Sequence, residues 1–338
     1  MHSDRALNHS TLHETRASLP FAQHGVMPDH RLIISVVLAL TWASPALAEE
    51  LVVAQKSPPV VEKSLTPTWD IAAEGQFAMA LQRLGAQVDL KLRARRALYL
   101  SDSEFFHDNF LSVGLTTQVA PIYANVGAQV DFQPASFIKL SGGYQFVGYF
   151  GVMGSLRTPT ECSGVAKFAR DDARCDFHPI GFEDNPPGVA ATGHRVWLEG
   201  QLMGRVGPII AIGGARIERW LMNAPGEFWV NELYGIPQSR SDTTLSGGGA
   251  LLYAVMDAEG RRPELLLGAA DDLAWSLGTD YLFNRVGPVA MLRAPKWGPF
   301  REVTAQVAVL FYTHERYLAG TPYVALALSA ATPNFLDR

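Results

Sequence analysis

The stretch FIKLSGGYQFVGYF, residues 137–150, decides how this chain is read. Its even positions are Ile138, Leu140, Gly142, Tyr144, Phe146, Gly148 and Phe150, while Lys139, Ser141, Gly143 and Gln145 stand between them. A period of two places alternate side chains on opposite faces of an extended strand, here one apolar and aromatic, the other polar. The same alternation runs outward in both directions. In Leu84 to Leu100, the residues Ala86, Val88, Leu90, Leu92, Ala94, Leu98 and Leu100 share a face broken only by Arg96, and Asp89, Lys91, Arg93 and Arg95 lie opposite. In Gly193 to Val206, His194, Val196, Leu198, Leu202 and Val206 oppose Arg195, Glu199, Gln201 and Arg205. Trp69 to Leu81, Phe110 to Val119, Ile122 to Phe132 and Arg301 to Phe311 repeat it.

Alternation leaves open which face points inward. A soluble barrel hides the apolar face, whereas a membrane barrel shows it to lipid. The segments are long enough to cross a bilayer at a tilt, which takes about 9–11 residues. The polar face carries acids and bases together: Asp70, Glu74, Asp89, Lys91, Arg93, Arg95, Lys139, Arg195, Glu199, Arg205, Arg216, Glu218 and Glu302. Such a mixture neutralises itself across a lumen. Aromatics gather near the strand ends, at Trp69, Tyr99, Tyr149, Phe150, Trp220, Tyr281, Phe311 and Tyr312, as interfacial girdles do.

With these features the chain resembles the outer-membrane β-barrel proteins of Gram-negative bacteria from Trp69 onward. The resemblance is architectural and brings no activity with it. It implies an all-β fold, a transmembrane antiparallel up-and-down β-barrel of about twelve strands, with ten or fourteen as alternatives. The expected strands are 69–81, 84–100, 110–120, 122–133, 136–150, 193–206, 208–222, 243–256, 263–274, 279–294, 301–313 and 321–331. An even count puts both ends of the barrel sequence in the periplasm and the long connection 151–192 outside the cell. Two places bear on the count. Arg285-Val286-Gly287-Pro288 repeats Arg205-Val206-Gly207-Pro208, which reads as a turn, and Phe228 to Gly235 could add a strand. The resemblance departs at the carboxyl end, where Pro333 interrupts the last strand before Phe335. It also implies outer-membrane lipid, lipopolysaccharide and the barrel-assembly machinery as partners.

The 338 residues are 48% hydrophobic and 18% charged, with a net charge of −5. That excludes a disordered chain and gives no basic footprint for nucleic acid. The mean hydropathy of +0.05 is too low for a bundle of membrane helices. Residues 1–26 are polar and histidine-rich and read as a start assigned too early, with a cytoplasmic extension as the alternative. Residues 27–48 have the parts of a secretory signal peptide: Arg31, an apolar run from Leu32 to Leu40, and Ala46-Leu47-Ala48. Residues 49–68, with Pro58, Pro59 and Pro67, read as a periplasmic linker, and 69–338 as the barrel.

Cys162 and Cys175 are the only cysteines, both in the 151–192 connection, and an oxidising exported setting makes a disulfide the expectation. Such a pinned loop is expected to fold over or into the lumen. The acidic residues Asp171, Asp172, Asp176, Glu183 and Asp184 nearby read as a solvated surface, with divalent-cation binding as the lesser alternative. No metal site and no cofactor is expected. Barrel enzymes that act on lipids pair His with Ser two residues on, and none of His107, His178, His194 and His314 has that spacing, so no catalytic residue is assigned. His194 is the most interesting of the four, on the lipid face near the outer rim. The candidate site is the set of lumen charges Asp89, Lys91, Arg93, Arg95, Lys139, Arg195, Glu199, Arg205, Arg216 and Glu218. They serve either as a basic ladder for anionic solutes or as an ion-paired filling, and the alternation of acids and bases favours the second. The functional expectation is a structural barrel or narrow pore for small polar solutes. A lipid-modifying enzyme and a soluble periplasmic barrel holding an apolar ligand are the alternatives.

Overall fold

The computed structural model describes residues 69–80, 85–103, 105–152, 156, 188–256, 263–295, 297–314 and 318–335. The expected leader, signal peptide and linker of residues 1–68 lie outside them, as do Cys162, Cys175 and the acidic residues of the long connection.

Among the described residues there are fourteen strands, in chain order: β1 (Trp69–Ala80), β2 (Gly85–Arg96), β3 (Phe110–Val119), β4 (Tyr123–Ala135), β5 (Ile138–Phe150), β6 (Ala190–Val206) and β7 (Ile209–Met222). There follow β8 (Phe228–Asn231), β9 (Ile236–Ser239), β10 (Ser241–Met256), β11 (Glu264–Ser276), β12 (Tyr281–Ala294), β13 (Glu302–His314) and β14 (Pro322–Ala331). Twelve of them close a barrel in the order β1-β14-β13-β12-β11-β10-β7-β6-β5-β4-β3-β2, while β8 and β9 form a separate hairpin. Neighbouring barrel strands are antiparallel, including the closing pair, where Glu74 meets Ala331 and Ala80 meets Ala325. Trp69 and Ala331 lie at one end, called here the inner end. The long connection after β5 and the connection between β7 and β10 leave from the other, outer end.

The pleat sorts the side chains as the alternation requires. Leu115, Leu198 and Leu202 are 64%, 60% and 61% exposed on the outer wall, and Lys139, Ser141 and Glu199 point inward and are buried. The exposed aromatics form two groups. Phe146, Phe150, Trp275 and Phe311 stand toward the outer end, and Trp69, Phe132, Phe137, Tyr253, Trp297 and Phe300 toward the inner end.

Three details differ from the sequence reading. First, β2 stops at Arg96, short of Leu100, because the Asn109 side chain accepts hydrogen bonds from the Leu98 and Tyr99 backbone N–H groups at 2.9 and 2.8 Å. Second, the two copies of Arg-Val-Gly-Pro behave differently. Gly207 has φ +58° and makes a turn, whereas Arg285 to Pro288 runs through the middle of β12. There Arg285 pairs with Asp272 of the neighbouring β11. Third, Phe228 to Gly235 supplies β8, yet β8 is not part of the wall. The count of twelve stands because neither ambiguity alters the wall.

The last strand ends at Ala331, before Pro333, as the sequence suggests. Beyond β14, Thr332 and Asn334 carry the ladder onward with side chains, accepting from the Ala73 and Ile71 N–H groups at 3.0 and 2.9 Å. The Thr332 N–H also donates to the Ala73 carbonyl at 2.9 Å.

Candidate functional site

The connection between β7 and β10 turns into the barrel. Its strands pair Phe228 with Ser239, Trp229 with Gln238, Val230 with Pro237 and Asn231 with Ile236. The tip is held by the Asn231 side chain, which accepts from the Leu233 N–H at 3.0 Å, and by Gly235 in the left-handed region at φ +68°. Trp229, Val230, Asn231, Ile236 and Gln238 are each 0% exposed. A hairpin covered on both faces needs no apolar–polar alternation, so the period that reveals the wall strands is absent here.

Its seat is built from both aromatic packing and polar contacts. The Trp229 ring lies 5.5 Å from that of Trp220 and 5.8 Å from that of Tyr149. Thr279 donates to the Pro237 carbonyl at 2.8 Å, and the Ser239 N–H donates to Asp242 at 2.9 Å. Gln238 donates to Thr244 of β10. At the tip, the Tyr234 hydroxyl donates to Glu218 at 2.7 Å. Glu218 also pairs with Arg195, lies 3.6 Å from Arg216 and accepts from the Trp220 indole at 2.9 Å. Burial, together with the Glu218 charge beside it, pushes the Tyr234 phenol up to about 12.

Below the tip the lumen holds a solvent-open cavity, lined mostly by polar and charged side chains, with about 140 Å³ available to the centres of water-sized molecules. Leu233 and Tyr234 of the hairpin border it, and Asp89, Lys91, Arg93, Lys139, Arg195, Glu199 and Arg216 line its wall. The opposite wall is apolar toward the inner end, with Ile210, Ile212, Leu252, Leu266, Met291 and Leu310 buried together.

All ten charges singled out in the sequence sit on the inward parity of their strands. Arg93 reaches Glu74 at 2.5 Å, and Arg216 donates to Glu199 at 2.6 Å. Arg95 lies 3.6 Å from Asp108 and stands over the Phe110 ring at 3.9 Å. Lys91 and Lys139 converge on Asp131 at 3.2 and 4.0 Å. Arg205 reaches Glu264 at 2.8 Å near the inner mouth. Asp89 accepts from Gln87 at 2.9 Å. Several members of these networks escaped the sequence reading, notably Asp131, Glu264, Asp272, Arg285 and Arg293. Asp131 also accepts from Ser112 and Ser141, each at 2.8 Å. The signal for these residues was their parity, which matches that of the residues chosen.

Of the histidines, His194 is exposed on the outer wall with its Nδ1 2.7 Å from the Tyr144 hydroxyl, and His107 lies 3.8 Å from Asp108 in the connection after β2. Among the described residues no group of three or more His, Cys, Asp or Glu side chains is arranged to hold a metal ion.

No family model and no curated protein sequence matches the chain. Among solved structures, it is similar to the β domain of the Bordetella autotransporter BrkA, at 11% identity and a TM-score of 0.41, covering 78% of this chain and 98% of that one. It is also similar to the NanC porin, at 7% identity and 0.37, covering 78% and 100%. OmpT, an outer membrane protein of Vibrio cholerae, matches at 9% identity and 0.32, covering 81% and 99%.

Proposed function

We propose that this chain is an outer-membrane β-barrel that forms a narrow pore for small polar solutes, with the hairpin of residues 223–240 as its constriction. The observation that carries the reading is the polar cavity bordered by the hairpin tip. A barrel whose only task is to span the membrane needs a filled interior, whereas this one keeps charged side chains around open space on one wall. The location is supported by the apolar outer wall between two groups of aromatics, which suits lipid on all sides. The pairing of most inward arginines with carboxylates favours neutral or weakly charged polar solutes over a strongly selective anion path.

The test is conductance in planar bilayers, using the full chain and a variant in which residues 226–238 are replaced by a short Gly-Ser linker. The wild type is expected to give small or infrequent steps, and the variant steps several-fold larger. A variant that migrates as a folded barrel in detergent yet passes no current overturns the pore and leaves a structural barrel.

A further inference from the structure

We propose that the outer wall carries a binding site for the phosphate of a membrane glycolipid, centred on Arg219 and shared with His194, Tyr144, Ser241 and Thr243. The proposal rests on the membrane-spanning reading above. It begins from an anomaly of charge. The inward arginines Arg93, Arg195, Arg216, Arg285 and Arg293 each pair with a carboxylate. Arg219 faces outward and is exposed, and its partners among the described residues are two hydroxyls. Its Nη1 donates to Thr243 at 2.9 Å and its Nη2 to Ser241 at 2.6 Å. The two hydroxyls hold the guanidinium in place, and among the described residues no carboxylate pairs with it.

The register gathers further polar groups beside it. Arg219 lies across from Val196 on β6 and from Thr243 on β10, and His194, Leu221 and Ser241 occupy the next rung toward the outer end. Tyr144 faces Val196 on the other side, and its ring stacks on His194 with centroids 5.9 Å apart. Their hydrogen bond occupies Nδ1 and leaves His194 Nε2 for a ligand. Three strands bearing Arg219, His194 and Tyr144 thus present a cation, an imidazole and a phenol on one face, and β10 adds two hydroxyls.

Depth identifies the ligand. Val196 shares the rung of Arg219 and Leu221 that of His194, and one rung toward the inner end every outward position on these strands is apolar: Leu198 on β6, Ile217 on β7 and Leu245 on β10. A ligand seated here meets a cationic, hydrogen-bonding cluster with an aliphatic surface directly beside it toward the inner end. A lipid with a phosphate head and acyl chains satisfies both, and a planar guanidinium fork suits phosphate oxygens. At the outer end of an outer-membrane barrel that lipid is the phosphorylated glycolipid of the outer leaflet.

The experiment is native mass spectrometry of the detergent-folded full chain with lipid A, with chemically dephosphorylated lipid A, and with lipid A in competition with inorganic phosphate. The wild type is expected to retain lipid A about tenfold better than its dephosphorylated form. Arg219→Ala is expected to abolish the difference, Arg219→Lys to restore part of it, and His194→Ala to reduce it. Equal retention of both lipids by the wild type, or undiminished discrimination by Arg219→Ala, overturns the site. Complete displacement by millimolar phosphate overturns the lipid as its ligand and leaves a free-anion site. Failure of the wild type to insert into liposomes is a separate result, which removes the membrane reading itself.

Discussion

Glu218 is the buried charge on which the seat of the hairpin depends. It is 0% exposed and joins Arg195, Arg216, Trp220 and Tyr234. Replacing it with Gln leaves Arg195 buried with its charge unmatched, an imbalance that typically costs about 3–5 kcal/mol. Glu218→Gln is therefore expected to lower the urea midpoint of the detergent-folded barrel, measured by loss of its heat-modifiable band. Tyr234 adds a pH dependence. Its phenol is held neutral up to about 12, against about 10 for an unfolded tyrosine. The folded pKa is raised, so the contribution to seating is complete below about pH 10 and is lost as pH rises through about 12. The hairpin is expected to loosen over that window, read as rising conductance, and Tyr234→Phe is expected to flatten the rise. Single residues were legible in the sequence wherever parity spoke: the ten lumen charges share the inward face that alternation assigns. Their partners were not legible. Lys91 meets Asp131 across two strands because of how far each strand is sheared along its neighbour, and shear is a property of the closed sheet.

At the level of strands, the period of two located nearly every wall element. It failed where a local contact overrode it, as at Leu98 to Leu100, and where burial on both faces erased it, as in the hairpin. The copy of Arg-Val-Gly-Pro in β12 shows why a turn motif alone does not end a strand. Pairing with β11 and β13 on both sides outweighs the local preference, and Gly287 makes it possible. A Cβ at that position would lie 2.1 Å from the Val309 carbonyl oxygen, whereas one at Gly207 would meet nothing within 4 Å. Gly287→Ala is thus expected to force β12 and β13 apart, at about 1–3 kcal/mol by analogy with overpacked sites. Gly207→Ala faces only its positive φ, about 1–2 kcal/mol. Folding yield into detergent micelles distinguishes them: a marked drop for Gly287→Ala and a mild one for Gly207→Ala.

For the molecule as a whole, the mean hydropathy of +0.05 averages a lipid-facing wall and a charged lumen that alternate residue by residue. Strands of 10 to 17 residues, tilted, suit an apolar belt about 25 Å tall. The full chain is expected to sediment with outer membranes and to migrate faster unboiled than boiled; a detergent-free monomer would contradict this. On the pore reading proposed above, the hairpin's connections set how the barrel would open. A single residue, Arg240, joins β9 to β10, and residues 223–227 join β7 to β8. A stopper leashed at both ends with so little slack has no room to swing aside like a lid. Opening of the proposed pore would then require the hairpin to unzip where it sits, breaking its ladder and the contact of Trp229 with Trp220 together. Conductance, on that same pore reading, is expected to follow a local unfolding clock: rare openings, a rate that climbs steeply with temperature, and little dependence on which solute is present.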